Sequence, residues 1–363
     1  MAQTAITVRW ETCRSVPSGI SVTPEAGGAA LKVAAAEKSF VVATTMRSGF
    51  PNAAAPDYAG TWYMHDANVT GLTPGTCYRY TLDVDPMVSG RFCTAHVPGD
   101  PIRFLVIADT DANLGTFTRD VLAHNLPKNP EFTIHGGDIQ YYADPQETWA
   151  SWFPVMAPLF RQGAFEPAMG NHEYEQPTEF DQYTDRFFGG AGFDGNSHHY
   201  RFSSGGVWFF MIDSEDPLDI TSEQGQWLAT SLADAAQKPG YRFSIVDLHR
   251  LFLTCGDQSD HLAWVSAYTP IFDQYKVPIV IQAHMHGYER FETPNGRTFL
   301  TSAGGGGIIA DPSKNIARPY CNQRVASGPY YHAMIMDVTA GKLSAVAIDD
   351  AGKIVDQFEK VVP

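Results

Sequence analysis

The first quarter of the chain carries short stretches in which apolar and polar residues alternate, separated by turns rich in Gly and Pro. Alternation with a period of two indicates half-buried strands. The predicted strands cover residues 6–10, 31–35, 39–44, 78–84 and 90–94. Short strands with no helical segment between them predict an all-β sandwich over residues 1–98.

A different pattern begins after the turn His96-Val-Pro-Gly-Asp-Pro101. Continuous apolar runs, typical of buried strands, alternate from here with segments of helical period. Predicted strands cover 102–108, 132–135, 207–212, 241–248, 277–282 and 298–302, with further β segments over 331–358. Predicted helices cover 114–125, 146–159, 221–236 and 262–275, and Thr221-Ser-Glu-Gln224 has the spacing of a capping box. The alternation predicts a second, α/β domain over residues 99–363.

Composition narrows the class of protein. The 363 residues are 44% hydrophobic. They include 25 Lys and Arg and 40 Asp and Glu, which gives a net charge of -15. We therefore expect a globular protein whose partners include neither a nucleic-acid polymer nor a membrane. No signal peptide is visible, so the expected location is cytoplasmic for the chain as written, or secreted or periplasmic if the chain is a processed form. An odd count of five Cys leaves at least one thiol unpaired within the chain. The oligomeric state stays open.

Side chains that commonly bind metals stand at or after the ends of predicted strands in the second domain. In open α/β sheets the carboxyl ends of strands form the crevice in which sites assemble. Carboxylate, phenolate and imidazole groups together suit iron, manganese or zinc, and one central carboxylate can bridge two ions. The residues concerned are Asp109, Asp138, Tyr141, Asn171, His172, His249, His284 and His286.

Five motifs carry these residues in a fixed order. They are Asp109; Gly137-Asp138-Ile-Gln-Tyr141; Gly170-Asn171-His172-Glu173; Val246-Asp-Leu-His249; and Ala283-His284-Met-His286-Gly-Tyr288-Glu289-Arg290. This order resembles the calcineurin-like metallophosphoesterases. The Asp-x-x-Tyr spacing and the His-x-His-x-Tyr-Glu-Arg motif resemble the purple acid phosphatases among them. The resemblance covers nearly the whole chain. It implies an α/β (α+β) fold: a fibronectin type III-like β-sandwich, then a catalytic domain with two packed mixed β-sheets flanked by helices.

The same resemblance implies a dinuclear metal site in which Asp138 bridges both ions. The implied ligands of metal one are Asp109, Asp138, Tyr141 and His286. The implied ligands of metal two are Asp138, Asn171, His249 and His284. A Tyr141 phenolate favours Fe(III) at site one and a purple or pink colour, with Fe(II), Zn or Mn at site two.

The implied activity is hydrolysis of a small-molecule phosphate monoester by in-line attack of a metal-bound hydroxide. A phosphodiesterase, or a specialised phosphohydrolase of a nucleotide or metabolite, is the alternative, and a non-catalytic protein that binds metal or phosphate is a remote one. The resemblance places His172 beside the substrate. His261 lies in a polar, turn-rich stretch and is the candidate general acid. Arg250 is predicted either to contact a substrate oxygen or to form a structural ion pair.

The sequence departs from the family pattern at three positions. Asp111 stands where purple acid phosphatases usually have Gly, so it either faces metal one and substrate or caps a helix beginning near Leu114. Ala283 replaces the Gly that ordinarily precedes the His-x-His pair. Tyr142 follows Tyr141, so either could be the ligand, although the three-residue spacing favours Tyr141. Residues 304–307, four consecutive Gly, are interpreted as backbone that passes close to the metal site.

Overall fold

The computed structural model describes residues 1–42, 59–141, 148–175, 183–190 and 192–363. The N-terminal part consists of two antiparallel sheets with the strand orders β1-β5-β4 and β3-β2-β6-β7. Its strands are β1 (Ala5–Thr12), β2 (Gly19–Pro24), β3 (Leu31–Ala34), β4 (Ala36–Val42), β5 (Gly60–Thr70), β6 (Cys77–Leu82) and β7 (Ser89–Cys93).

Alternate side chains of these strands form one apolar core. Ile20 and Val22 on β2 point inward with Ala67 and Val69 on β5, and all four are buried. A disulfide between Cys77 and Cys93 joins the paired strands β6 and β7. The predicted β-sandwich is therefore confirmed.

The second domain contains two larger, mixed sheets. The six-stranded sheet has the order β10-β9-β8-β19-β20-β21, and the eight-stranded sheet has the order β11-β12-β13-β14-β15-β17-β16-β18. Their strands are β8 (Ile102–Ile107), β9 (Phe132–His135), β10 (Ala164–Pro167), β11 (Asp194–Gly195), β12 (His199–Ser204), β13 (Val207–Ile212), β14 (Phe243–Leu248), β15 (Ile279–Gln282), β16 (Tyr288–Glu292), β17 (Thr298–Ser302), β18 (Arg324–Gly328), β19 (His332–Thr339), β20 (Lys342–Asp349) and β21 (Ile354–Val361).

Aromatic side chains from both sheets meet in the core between them. Phe104 of β8 stacks on Phe132 of β9 with ring centroids 5.1 Å apart, and it meets Phe209 of β13 edge to face at 5.3 Å. All three rings are buried. Because β8 and β9 run parallel in one sheet and β13, β14, β15 and β17 run parallel in the other, several strands of each sheet end at a common edge.

The α-helices whose full bounds lie within the described residues are α1 (Phe117–Asn125), α2 (Phe153–Phe160), α3 (Glu223–Ala235) and α4 (Leu262–Gln274), and residues 183–187 are also helical. A π-helical turn, Thr148–Trp152, precedes α2. Helix α1 packs against β19 and β20, and α3 packs against β13. The N-cap of α3 is Ser222, whose Oγ accepts a hydrogen bond from Gly225, so the capping position lies one residue later than the motif at Thr221 predicts.

The predicted mixed α/β fold with its N-terminal sandwich is confirmed. The domain boundary predicted after residue 98 falls between the last strand of the sandwich and β8, and the division itself stays a prediction. Within the described ranges, no helix is both long and apolar enough to cross a bilayer. A second disulfide links Cys255 to Cys321, and Cys13 is an exposed free thiol.

Candidate dinuclear metal site

Four side chains reach the site from the carboxyl ends of four strands. Asp109 follows β8 and Asp138 follows β9 in the six-stranded sheet. His249 follows β14 and His284 follows β15 in the eight-stranded sheet. The site therefore lies where the two sheets bring the ends of their parallel strands together, as expected for a crevice in an α/β fold.

Three of these residues adopt the left-handed backbone conformation in the turns that follow their strands. The φ angles are 57° at Asp109, 54° at Asp138 and 66° at His284. This conformation costs roughly 1–2 kcal/mol for an ordinary L-residue, although Asp, Asn and His tolerate it better than most. The backbone thus turns sharply at the residues whose side chains enter the crevice.

One cluster of donor atoms surrounds Nε2 of His249. It lies 3.2 Å from Oδ1 of Asn171, 3.1 Å from Nδ1 of His284 and 3.2 Å from Oδ2 of Asp138. A tetrahedral ion bound at about 2.0–2.1 Å holds its ligand atoms roughly 3.3 Å apart. The three distances from His249 Nε2 therefore fit ligands of a single ion, and these four side chains are the ones predicted for metal two.

A second cluster surrounds Oδ1 of Asp109. The Tyr141 hydroxyl donates to it at 2.9 Å, and Nε2 of His286 lies 3.2 Å away. Asp109, Asp138 and His286 each offer one ligand atom within 4.8 Å of the others. These are the side chains predicted for metal one. The alternative ligand, Tyr142, lies outside the described residues.

Asp138 stands between the two clusters. It is fully buried, and among the described residues its Oδ2 accepts no well-aligned hydrogen bond, although His249 is close by. Burial raises the pKa of Asp138, but the nearby His249 and His172 outweigh this effect and lower it below the usual value. A buried carboxylate oxygen with no hydrogen bond is costly unless a cation binds it, so this atom fits a bridging ligand.

Two backbone carbonyls orient the histidines. Nδ1 of His249 lies 3.0 Å from the Gly136 oxygen, and Nδ1 of His286 lies 2.8 Å from the Ile308 oxygen. In both rings the hydrogen bond at Nδ1 directs Nε2 toward the site, which is the usual way a protein fixes a metal-binding tautomer.

Glu173 is a supporting residue to which the sequence analysis assigned no role. Its buried carboxylate accepts hydrogen bonds from the backbone N–H groups of Asp138 (2.9 Å), Ile139 (2.8 Å) and Gly170 (2.6 Å). Burial and the charge of Asp138 raise the pKa of Glu173 to about 7, against the effect of these donors. Glu173 therefore ties the turn that carries Asp138 to the 3₁₀ helix Asn171–Tyr174. Its place in the Asn-His-Glu motif was the available signal.

Consecutive glycine residues, whose backbone lies close to the candidate ligands, form one side of the site. A Cβ atom added at Gly307 would lie 2.8 Å from Cε2 of Tyr141 and 3.0 Å from the ring of His286. Gly306 has a φ of 152°, and a Cβ there would meet Oγ1 of Thr118. The interpretation of residues 304–307 as backbone that passes close to the site agrees with this geometry.

The two predicted catalytic histidines have different surroundings. The His172 ring lies edge to face on Tyr141, with centroids 4.7 Å apart, and its Nδ1 lies 2.9 Å from Oε1 of Glu175. Burial lowers the pKa of His172, but Glu175 and Asp138 outweigh this effect and raise it. His261 instead stacks on Trp264 at 3.9 Å, and its Nδ1 lies 3.0 Å from the Leu251 oxygen. Both contacts of His261 are with residues other than the metal-ligand candidates.

Arg250 and Asp111 also lie beside the clusters. Glu215 and the Arg250 guanidinium form a bidentate ion pair, with Nε–Oε1 at 2.6 Å and Nη2–Oε2 at 3.0 Å. Oδ1 of Asp111 accepts hydrogen bonds from the N–H groups of Asn113 (2.8 Å) and Leu114 (3.2 Å) and from the Gln140 amide (2.8 Å). Asp111 thus stabilises the turn before α1, which begins three residues after Leu114. Burial raises the pKa of its carboxyl group.

Residues 102–288 match the family described as calcineurin-like phosphoesterase. This span exceeds half of the chain, and it contains every candidate metal ligand. The chain belongs to the calcineurin-like phosphoesterase family. The motif order noted in the sequence is therefore that of this family, and a β-sandwich precedes the matched span.

Several proteins to which the chain is similar are named purple acid phosphatases. An uncharacterized protein of Mycobacterium tuberculosis is 27% identical over 266 residues, covering 62% of this chain and 50% of that protein. Purple acid phosphatase 23 of Arabidopsis thaliana is 25% identical over 298 residues, covering 68% of this chain and 63% of the plant protein. Purple acid phosphatase PPD1 from yellow lupin seeds shares the fold, with a TM-score of 0.77 and 17% identity over 99% of this chain and 73% of its own. The chain spans about half the length of several curated relatives.

Proposed function

We propose that this phosphoesterase hydrolyses small-molecule phosphate monoesters at a dinuclear metal site, in the manner of a purple acid phosphatase. The observation that carries the proposal is the position of Asp138. Its buried Oδ2 has no aligned hydrogen-bond donor among the described residues, and its carboxylate offers a ligand atom to each of the two groups of donor atoms. A single carboxylate in this position is suited to hold two ions side by side.

The proposed ions are Fe(III) at site one and Fe(II), Zn or Mn at site two. When bound, they supply an activated water for in-line attack and positive charge for the phosphoryl oxygens. Burial, Asp109 and Asp138 raise the pKa of Tyr141 well above its ordinary value, so its phenol keeps its proton unless a strong Lewis acid binds. This requirement supports a trivalent ion at site one.

Four side chains of the chain are proposed to act on the substrate. His172, against Tyr141 and on the motif of Asn171, would bind the phosphoryl group or the leaving group. His261 would protonate a leaving alkoxide. Arg250 would donate to a phosphoryl oxygen, and Asp111 would tune the charge beside metal one.

A phosphodiesterase is the second candidate, and Asp111 is the observation that favours it. Its carboxyl group is close enough to His286 and Tyr141 for the charges to influence each other. An additional negative charge beside metal one disfavours a dianionic monoester more than a monoanionic diester.

The two disulfides support an oxidising compartment, and we therefore propose a secreted or periplasmic location.

The test is a substrate panel on the full chain after reconstitution with iron, zinc or manganese. Monoesters, diesters and triesters are compared by kcat/KM, and bound metals are counted by elemental analysis. Two metals per chain with the highest kcat/KM for monoesters is the expected result. Two metals with a preference for diesters would support the second candidate, and two metals without hydrolysis of any ester would identify a non-catalytic binding protein.

A further inference from the structure

A large apolar cavity lies between the N-terminal sheets and the second domain. Its volume is about 730 Å³. Sites for small molecules typically have volumes of roughly 300–1,000 Å³. One wall belongs to the core of the sandwich and includes Ile6, Val8 and Phe92. The other wall belongs to the core of the second domain and includes Phe153 and Phe160 of α2. The cavity is therefore a gap between two apolar cores, of a size that a small molecule can fill.

Hydrogen bonds join the two walls around the cavity. On β1, Nη1 of Arg9 donates to the carbonyl oxygens of Asp185 (2.7 Å) and Arg186 (2.8 Å). On β7, the backbone N–H of Arg91 donates to the carbonyl oxygen of Arg161 at 2.8 Å, just after the end of α2. These contacts cross from the sandwich to the second domain. The walls are therefore held in position by the protein itself.

The aromatic side chains that line the cavity keep part of their surface in contact with water. Six of them are half-buried: Trp10, Trp62, Phe153, Phe160, Phe165 and Phe187. Removing apolar surface from water is favourable, and aromatic rings bury large areas. An apolar group that entered the cavity would therefore be stabilised by both walls.

The charged residues of the lining favour an anion. Four Arg and two Glu line the cavity, an excess of two positive charges in a chain whose net charge is -15. Arg9 is paired with Asp66, and Arg186 is paired with Glu11 at 2.7 Å. Arg161, in contrast, has no ion-pair partner among the residues that the structure describes. One guanidinium at the cavity is thus available to a negative group.

A smaller, polar cavity adjoins the apolar one. Its volume is about 540 Å³, and the two cavities share Tyr80, Arg91 and Arg161 in their linings. The other charged residues of the polar cavity are Arg79 and Glu25, so three guanidinium groups accompany one carboxylate. Oxygens of Glu25 lie 3.1 Å from Arg79 and 3.2 Å from Arg91. Because guanidinium groups are donors only and bind carboxylates strongly, the shared wall suits a second, external carboxylate.

We propose that the apolar cavity binds a small amphipathic carboxylate, such as a fatty-acid anion. Its apolar body lies between the two cores, and its carboxylate lies at the shared wall against Arg161 and Arg91. Neither lining contains a candidate metal ligand, so this site is separate from the dinuclear site and its ligand binds without metal. The inference therefore goes beyond the proposed function and does not depend on it.

Calorimetric titration of the purified full chain with laurate tests the proposal. Dodecyltrimethylammonium, which has the same chain with a positive head, and butyrate, which has the same head with a short chain, are the comparison ligands. Laurate is expected to bind at one site per chain, and both comparison ligands at least about tenfold more weakly. No binding of laurate, or equal binding of laurate and the cation, would overturn the proposal.

Two variants locate the bound carboxylate. Arg161→Met keeps the backbone carbonyl that accepts from Arg91 and should weaken laurate binding by about tenfold. Arg119→Met is the matched control, since Arg119 is an exposed arginine of α1 that lines neither cavity, and its affinity should equal that of wild type. Equal weakening in both variants, or unchanged affinity in Arg161→Met, would contradict the proposed position of the head group.

A third variant fills the space for the apolar body. Ala157 is a half-buried residue of α2 in the cavity lining, and Ala157→Trp should abolish laurate binding while circular dichroism shows a folded chain. If this variant does not fold, the result for Arg161→Met decides. Sedimentation of the wild type with and without laurate tests another occupant. A dimer that binds no laurate and dissociates in Ala157→Trp would assign the cavity to a second copy of the chain and overturn the proposal.

Discussion

The backbone N–H of Asp138 donates a 2.9 Å hydrogen bond to the buried carboxylate of Glu173. Glu173 also receives the N–H of Gly170, directly before Asn171, so one side chain fixes two turns that carry metal ligands. The position of Asp138 is therefore set by an anchor outside the two donor clusters. Asp138→Asn keeps Oδ1, which accepts from the His172 N–H at 2.9 Å, so it removes the negative charge while these contacts of the turn remain possible.

Asp138→Asn is expected to purify with well under one metal ion per chain, because in the proposed site the Asp138 carboxylate would bind both ions. The measurement is elemental analysis of the purified protein. Asp337→Asn, which removes a carboxylate paired with Arg103 far along the chain from the ligand motifs, is the matched control and should keep two ions. Two ions retained in Asp138→Asn would disprove the bridging role.

Tyr141→Phe is expected to abolish visible absorption in the iron-loaded protein. A phenolate bound to Fe(III) gives a charge-transfer band, and the variant has no phenol oxygen. Absorption spectra of wild type, Tyr141→Phe and Tyr142→Phe test the assignment. Loss of the band in Tyr142→Phe alone would move the ligand by one residue, and an iron-loaded wild type without colour would exclude a phenolate ligand.

His172→Ala and His261→Ala should each lower turnover while leaving the metal content unchanged. For a general acid, the loss should reach about 100-fold or more with an alkyl phosphate. With a nitrophenyl phosphate, whose leaving group needs no proton, His261→Ala should lose much less. Equal losses for both leaving groups would exclude His261 from the acid role. To act as the acid, the His261 ring, which stacks on Trp264, must be reachable by the substrate.

Asp111 is expected to influence the choice between monoesters and diesters through its charge. Asp111→Asn preserves an oxygen that can accept from Asn113 and Leu114, whereas Asp111→Gly removes charge and acceptor together. If the charge acts on substrate, the ratio of monoester to diester kcat/KM should rise about tenfold in both variants. An unchanged ratio, with a lower Tm in Asp111→Gly alone, would assign Asp111 to the turn.

His332 is expected to make the folded chain sensitive to acid. Burial lowers its pKa to about 4, although the Tyr330 carbonyl accepts from its ring. An unfolded chain takes up this proton near pH 6.5, so the free energy of unfolding should fall between pH 6.5 and 4 by up to roughly 3 kcal/mol. Above pH 6.5 the ionisation of His332 no longer changes the free energy of unfolding.

Urea unfolding in the presence of EDTA, at pH 7 and pH 5, measures this contribution without metal release. His332→Gln should flatten the pH dependence by about one proton, whereas His124→Gln, an exposed position, should leave it unchanged. An identical pH dependence in wild type and His332→Gln would contradict the buried neutral state.

Local patterns in the sequence predicted most of the second domain. The bounds of β9, β13 and β17 agree with the prediction, because each is a short stretch of mostly buried residues with strong strand-forming side chains. Helix α1 is shorter than predicted, since Asp111 holds Asn113 and Leu114 in a turn that delays its start. In the sandwich, β2 and β5 were not predicted, because their pairing partners lie far away in the chain.

The candidate ligands could be predicted because each stands in a short motif near the end of a strand. Their supporting contacts could not, because these join residues that are distant in sequence. The Glu215–Arg250 pair and the bond from the Ile139 N–H to Glu173 are examples. The disulfide pairing of the Cys residues could not be predicted either, since spacing alone does not determine which thiols meet.

The left-handed backbone at Asp109, Asp138 and His284 has a conformational cost. Glycine would adopt these φ angles without strain, so at each position the residue that best suits the backbone differs from the residue whose side chain lies in a donor cluster. Replacing any of the three by glycine would relieve local strain and remove a candidate ligand in the same step. Backbone comfort and ion binding are therefore opposed at three turns of one site.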